Sequence, residues 1–203
     1  MKKNTKNIQQ KYFAKADPAF WAAVKKIEMP PLVLREDHFG SLARSIVGQQ
    51  LSVKAAASIW QKFLSLYRGK MPKPGAVIKT PDLKLRAVGL SNAKVRYLKN
   101  LAQFALENPK FFKKIADKTD DEIIAELTTV KGIGKWTVEM FLIFALGRDD
   151  IFSHGDLGLR NAVKKIYKLR KDPDPKKLEK ISKAWKPYRS HAARYLWKYL
   201  ENE

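Results

Sequence analysis

Two glycines one residue apart, Gly132 and Gly134, sit between two segments that each carry a helical pattern, and this junction constrains the fold more than any other part of the chain. Asp120 to Thr129 places Ile123, Ile124 and Leu127 at i, i+1 and i+4, and a second apolar run begins at Trp136. Helices separated only by Lys131-Gly132-Ile133-Gly134 must turn tightly, which glycine allows because it tolerates positive φ and lets another backbone come close. The second helix then opens with N–H groups that lack an intrahelical acceptor, at the positive end of its dipole. Such groups suit a phosphate oxygen, and Lys131 and Lys135 add positive charge beside the turn. An isolated G-x-G is more simply an ordinary helix corner with Gly at a C-cap; the apolar frame on both sides and the two lysines favour the anion-binding alternative.

Composition points to the same partner. Lys+Arg number 41 against 20 Asp+Glu, a formal net charge of +21, while 45% of residues are hydrophobic, so this is a folded basic domain and not a charged tail. Charge of that size attracts a polyanion and gives salt-sensitive binding through counterion release, which makes nucleic acid the leading partner class. No single basic amphipathic stretch argues for a membrane surface, and no apolar run approaches the ~18 residues of a membrane span. The opening MKKNTKNIQQKY has no apolar segment of the signal-peptide kind, so an intracellular soluble protein is expected, cytoplasmic or nucleoid-associated, or nuclear in a eukaryote. The absence of cysteine excludes disulfides, thiolate zinc sites and cysteine-ligated iron–sulfur clusters, and three histidines far apart give no basis for a transition-metal site.

Helical patterns fill the rest of the chain. Ala19 to Ile27 is a short helix stopped by Met29-Pro30-Pro31, and Phe39 to Gly48 turns Leu42, Ile46 and Val47 inward before a pause at Gln49-Gln50-Leu51. Ser52 can N-cap the next helix, whose inward face reads Val53, Ala56, Ala57, Trp60 and Leu64. Met71 to Asp82, with three prolines and a glycine, reads as a loop with at most one helical turn; Lys84 to Val88 and Ala93 to Leu106 are helices. Asp156 opens a helix through Tyr167, Asp174 and Pro175 cap and start another that carries Leu178, Ile181 and Trp185, and the last presents Ala193, Leu196, Trp197 and Leu200. No period-2 pattern persists and no repeat is evident, so the fold class is all-α, and 203 residues suffice for one core or two small lobes.

The order of these parts resembles the helix–hairpin–helix (HhH-GPD) DNA glycosylase superfamily, specifically its 3-methyladenine, or alkylbase, branch. The resemblance rests on Ile46-Val47-Gly48-Gln49-Gln50-Leu51-Ser52, on the hairpin from Leu127 to Val138, on Asp156 beyond it, and on Trp185-Lys186-Pro187-Tyr188-Arg189-Ser190. It covers roughly Arg35 to Trp197 and implies two helical lobes with a cleft between them: lobe one about 35–150, lobe two about 12–34 with 151–203, preceded by a flexible basic tail over 1–11. It also implies the compact form of the branch, without the extra N-terminal β-rich domain of larger bacterial relatives, acting as a monomer on double-stranded DNA that carries a damaged base.

Site residues follow from the same resemblance. Asp156 is expected to stabilise positive charge on the sugar as the base leaves and to orient the attacking water; its structural alternative, a helix N-cap, is compatible with that role. In bifunctional relatives resembling endonuclease III a lysine stands where this chain has Trp136 and attacks the sugar; Lys135 lies one residue, about 100° of helix, away. Trp136 cannot form a Schiff base but can stack on a cationic alkylated purine, which implies a monofunctional enzyme with water as nucleophile. Tyr188, Met140 and Leu157 are expected around the base; Met140 and Leu157 replace aromatic residues of some relatives, which leaves the range of bases open. His154 could protonate a neutral leaving base, or face solvent or a phosphate. Gln50, or else Leu51, is expected to fill the gap left by the flipped base, with Leu51 alternatively a hydrophobic staple against Ala56 and Gln49 a turn residue. Gly132, Gly134, Lys131 and Lys135 would hold phosphates. No cofactor is required, but a structural Na⁺ or K⁺ on the carbonyl of Val130 and its neighbours is implied by resemblance. A bifunctional glycosylase/lyase and a non-catalytic DNA-binding module remain the alternatives.

Overall fold

The computed structural model describes residues 2–202, with side chains from Ile8 to Asn202. Among the described residues the chain forms thirteen α-helices and two 3-10 turns, with no β-strand, so the expected all-α class holds. It divides into two compact units, Met1–Leu32 with Gly147–Glu203, and Val33–Leu146. The discontinuous unit starts with α1 (Lys2–Ala16) and α2 (Pro18–Val24). The chain then builds the whole of the continuous unit from α3 (His38–Gly48), α4 (Val53–Ser65), α5 (Pro74–Lys79), α6 (Asp82–Ala87), α7 (Asn92–Glu107), α8 (Pro109–Lys114), α9 (Asp120–Thr128) and α10 (Lys135–Phe144). It returns to complete the first with α11 (Leu157–Ile166), α12 (Pro175–Ser182) and α13 (Arg189–Glu201).

Local chemistry sets most helix starts. Asp37, Ser52, Ser91, Asp156 and Asp174 each accept a backbone N–H three residues on, and Thr119 forms a reciprocal capping box with Glu122, each cap contributing about 1 kcal/mol. In the continuous unit α7 is the central element, packed by α3, α5, α6 and α8, while α10 lies on α3 and α9. Leu42, Ile46, Phe63, Leu85, Leu98, Leu101, Ile123 and Leu127 are fully buried there.

In the discontinuous unit α11 and α13 pack together over a core of Phe13, Phe20, Leu159, Val163, Leu178, Trp185 and Leu196. Asp17 ties its parts: Oδ1 caps α2 by accepting from Phe20 N–H at 3.0 Å, and Oδ2 accepts from Trp185 Nε1 at 2.9 Å and from the hydroxyl of Tyr167. Burial, then the carboxylate of Asp17, push the Tyr167 phenol above its ordinary pKa.

Several sequence expectations are corrected. The basic segment 1–11, expected as a flexible tail, lies in α1 from Lys2 onward, Met1 being outside the described residues, and Gln9 reaches the His191 ring nitrogen at 3.0 Å. The Met71–Asp82 stretch, expected as a loop with at most one helical turn, contains the six residues of α5, because Pro74 is at the first helical position where its missing N–H costs nothing. The inward face of α4 differs from the expected one: Val53 is 89% exposed and Ala57 is exposed, and the buried residues are Trp60 and Phe63. Val53 sits at the first helical position, so its outward direction is set by the preceding loop and not by the period of the helix.

Candidate functional site

The hairpin between α9 and α10 closes through a hydrogen bond from Ile133 N–H to the Val130 carbonyl at 2.9 Å. Its two glycines have different physical reasons. Gly132 has φ +105°, and a Cβ there would lie 2.1 Å from Cγ of the Tyr97 ring, so both conformation and space require glycine. Gly134 has φ −89°, ψ 168°, and nothing within 4 Å of where a Cβ would be; it is the N-cap of α10 and brings no side chain to cap with. The start of α10 therefore keeps its positive end open to an outside acceptor, and the exposed Lys131 and Lys135 lie on either side of Gly132-Ile133-Gly134.

The Gln49-Gln50-Leu51 loop joins α3 to α4. Gln50 is exposed with φ +55°, an uncommon conformation for a residue with a Cβ, and Leu51 is 37% exposed. Gln49, which the sequence offers as a turn residue, makes the firm contacts: its Nε2 donates to the Gly132 carbonyl at 3.0 Å and lies 3.5 Å from Thr137 Oγ1. Gln49, Gln50, Leu51, Trp136, Thr137 and Met140 line a cavity of about 560 Å³. Two of the residues expected at the base, Trp136 and Met140, are thus brought together with both wedge candidates, and Trp136 is 48% exposed.

In the discontinuous unit Asp156 is the N-cap of α11 and only 9% exposed. Its Oδ1 accepts from Leu159 N–H at 2.8 Å and from Trp197 Nε1 at 2.9 Å. Gly158 permits this approach: a Cβ there would stand 3.1 Å from both Asp156 Oδ1 and Trp197 Cδ1. The segment leading to Asp156 is fastened at its start, where Arg189 donates to Asp150 Oδ1 from Nε at 2.7 Å and to Oδ2 from Nη2 at 3.0 Å, and Ile151 N–H donates to Ser190 Oγ at 2.9 Å. Trp197, Gly158, Arg189 and Ser190 have no recognisable local pattern around Asp156; only the W-K-P-Y-R-S resemblance hinted at two of them.

The remaining candidates fall as follows. Tyr188 caps α13 and packs edge-on against Tyr12, with ring centroids 5.3 Å apart, and against Phe13. Leu157, the first residue of α11, is 58% exposed. His154 is half-buried, edge-on to Phe152 and with Nε2 3.3 Å from Ser182 Oγ, which does not match the solvent-facing alternative. The Val130, Lys131 and Gly132 carbonyls each accept one N–H, from Ile133, Asn100 and Gln49, and each retains a second lone pair. Uncharged oxygens of this kind fit a singly charged ion. Among the described residues no group of three or more His, Asp or Glu could hold a metal, and no described helix is long and apolar enough to cross a membrane.

Comparison with known proteins places these features in context. Residues 43–187 match the model of the HhH-GPD superfamily base excision DNA repair proteins. The chain is 37% identical over 166 residues to DNA-3-methyladenine glycosylase 1 of Schizosaccharomyces pombe, covering 81% of this chain and 73% of that protein. Its structure superposes on the S. pombe 3-methyladenine DNA glycosylase in complex with abasic DNA with a TM-score of 0.84 at 32% identity, over 94% of this chain and 95% of the other. A DNA-3-methyladenine glycosidase from Bacillus halodurans gives a TM-score of 0.81 at 34% identity, over 94% and 88%.

Proposed function

The chain belongs to the HhH-GPD superfamily of base excision DNA repair proteins, and from that membership we propose that it is a monofunctional DNA glycosylase that excises alkylated purines from double-stranded DNA. Its substrates are bases such as 3-methyladenine and 7-methylguanine, and its product is an abasic site. It acts as a monomer wherever the cell keeps its DNA.

The target nucleotide leaves the stack at a cost of a few kcal/mol, and Gln50, with Leu51 beside it, fills the gap. The phosphates rest on the hairpin at Gly132 and Gly134 with Lys131 and Lys135 beside them. A Na⁺ or K⁺ held by the Val130 carbonyl would supply one further positive charge to a phosphate. The flipped base stacks on Trp136, where a cationic purine gains about 0.5–2 kcal/mol from the indole face, with Met140 beside it. The bond from C1′ to the base nitrogen breaks with its electron pair on the base, which leaves neutral because it was already cationic. Asp156 stabilises the positive charge on the sugar, water adds at C1′, and its proton passes to the carboxylate and on to solvent.

The observation that carries this reading is the fixing of Asp156 by Leu159 N–H and the Trp197 indole, since a carboxylate already oriented loses nothing to reorganisation when charge develops in front of it. The test is release of free 3-methyladenine and 7-methylguanine from methylated duplex, measured by chromatography without alkali. Wild type should release both and leave an unbroken strand, and Asp156→Asn should be slower by about 10²–10³-fold. Strand cleavage without alkali would instead make the enzyme a glycosylase/lyase, and duplex binding without release would make it a binding module.

A further inference from the structure

Three side chains on one face of α7, at i, i+3 and i+6, reach the two functional loops of the continuous unit. Lys94 Nζ donates to the Val47 carbonyl at 2.8 Å, in the last turn of α3 just before the Gln49-Gln50-Leu51 loop. Tyr97 lies against Gly132, in the hairpin, so closely that no Cβ fits. Asn100 Nδ2 donates to the Lys131 carbonyl at 3.1 Å, next to Gly132. From the other side Gln49 crosses directly from one loop to the other, with Nε2 on the Gly132 carbonyl at 3.0 Å. The orientation of that amide is not a free choice, because a carbonyl can only accept and so must face the NH₂ end. Burial lowers the pKa of Lys94, as expected of an ammonium withdrawn from water to serve a carbonyl.

We propose that Gln49 is a positioning residue that bolts the wedge loop to the phosphate-binding hairpin, with Lys94, Tyr97 and Asn100 as the backing, so that gripping the backbone and expelling the base are one rigid action. The proposal rests on the glycosylase reading for the meaning of the two loops. Each loop is closed by its own backbone bonds, Leu51 N–H to the Gly48 carbonyl and Ile133 N–H to the Val130 carbonyl, and these bonds do not join one loop to the other. A wedge that could recoil from the hairpin by an ångström would let the duplex reclose, whereas one tied to the same carbonyl frame passes the force of phosphate binding into the gap. The Gln49 amide is the direct link, and it is the contact whose loss leaves both loops otherwise intact.

The experiment uses the full chain and a duplex with 2-aminopurine next to 7-methylguanine, whose fluorescence rises when the neighbouring base leaves the stack. Gln49→Met keeps length and bulk without the amide, and Gln49→Glu turns a carboxylate on the Gly132 carbonyl. Both should lower the flipping rate and the single-turnover release rate by about tenfold or more; affinity for undamaged duplex stays within about twofold for Gln49→Met, whereas the negative charge of Gln49→Glu beside the hairpin lowers it. Asn100→Ala, alone and with Gln49→Met, supplies the second measurement: the two losses should be non-additive, because both side chains hold the same frame. Flipping rates within about twofold of wild type, or a loss of duplex affinity in Gln49→Met as large as its loss of flipping, would overturn the proposal. A wild type that flips the base and releases nothing would sink the glycosylase reading alone, since the fluorescence arm does not depend on excision.

Discussion

Trp197 and Asp156, 41 residues apart, meet in one hydrogen bond, from the indole Nε1–H to the same Oδ1 that accepts the Leu159 N–H. A carboxylate oxygen with two donors is fixed in rotation as well as position, and neither donor is a flexible side chain. Trp197→Phe keeps the ring and removes the N–H. It should slow single-turnover base release by about tenfold and destabilise the fold by about 1–2 kcal/mol, with little change in duplex affinity. A rate equal to wild type in saturating enzyme would reduce the indole to a packing role.

The two hairpin glycines should separate cleanly on substitution. Gly132→Ala combines positive φ with overlap on Tyr97 and should cost about 2–5 kcal/mol, read by urea or thermal unfolding. Gly134→Ala meets neither obstacle and should leave Tm within about 2 °C. Equal losses at the two positions would contradict this account of the turn.

Salt titration tests the charge beside the hairpin. Lys131→Ala and Lys135→Ala should each lower the slope of log affinity against log salt concentration by about 1, across duplexes of any sequence. A slope that does not change would place the phosphates elsewhere on this basic surface.

Alkaline stability should report on Tyr167. Its phenol is held protonated in the folded state by burial first and by Asp17 second, so its folded pKa lies above the unfolded value near 10. The stabilisation is complete below that unfolded value and is lost as pH rises through the interval up to the folded pKa. Across it the unfolded chain binds fewer protons than the folded one, and stability falls by at most about 1.4 kcal/mol per pH unit, less with solvent screening. Tyr167→Phe should show a shallower decline above pH 10, and identical slopes would remove Tyr167 from the alkaline transition.

The sequence carried the helices whose signals are local. Ser52, Asp156 and Asp174 each precede a helical run, and each proves to be the cap. It misread elements whose signals are not local. The basic N-terminal segment has no clear apolar face, and Val53 follows the period of a buried face while pointing outward. Within the candidate site, Gly132 and Gly134 were legible as punctuation, but which of them the turn requires depends on Tyr97, thirty-five residues earlier. Gln49 looked like a spacer because its acceptor, a backbone carbonyl 83 residues away, leaves no mark in the sequence. The helical period places Trp197 on a core face, and its indole N–H meets Asp156 only because α11 and α13 pack side by side.

The interruption of one unit by the other has a consequence for birth on the ribosome. Every residue of the unit that carries Gln49, the hairpin and Trp136 has been made by Leu146, whereas the unit that carries Asp156 needs Trp185, Ala193 and Leu196 to close its core. At about 5–20 residues per second those last side chains follow Leu146 by roughly 3–10 s, so the continuous unit has time to fold while Phe13 and Phe20 wait for partners not yet synthesised. The unit that carries the hairpin is therefore complete in sequence before the last core residues of the unit that carries Asp156 are made.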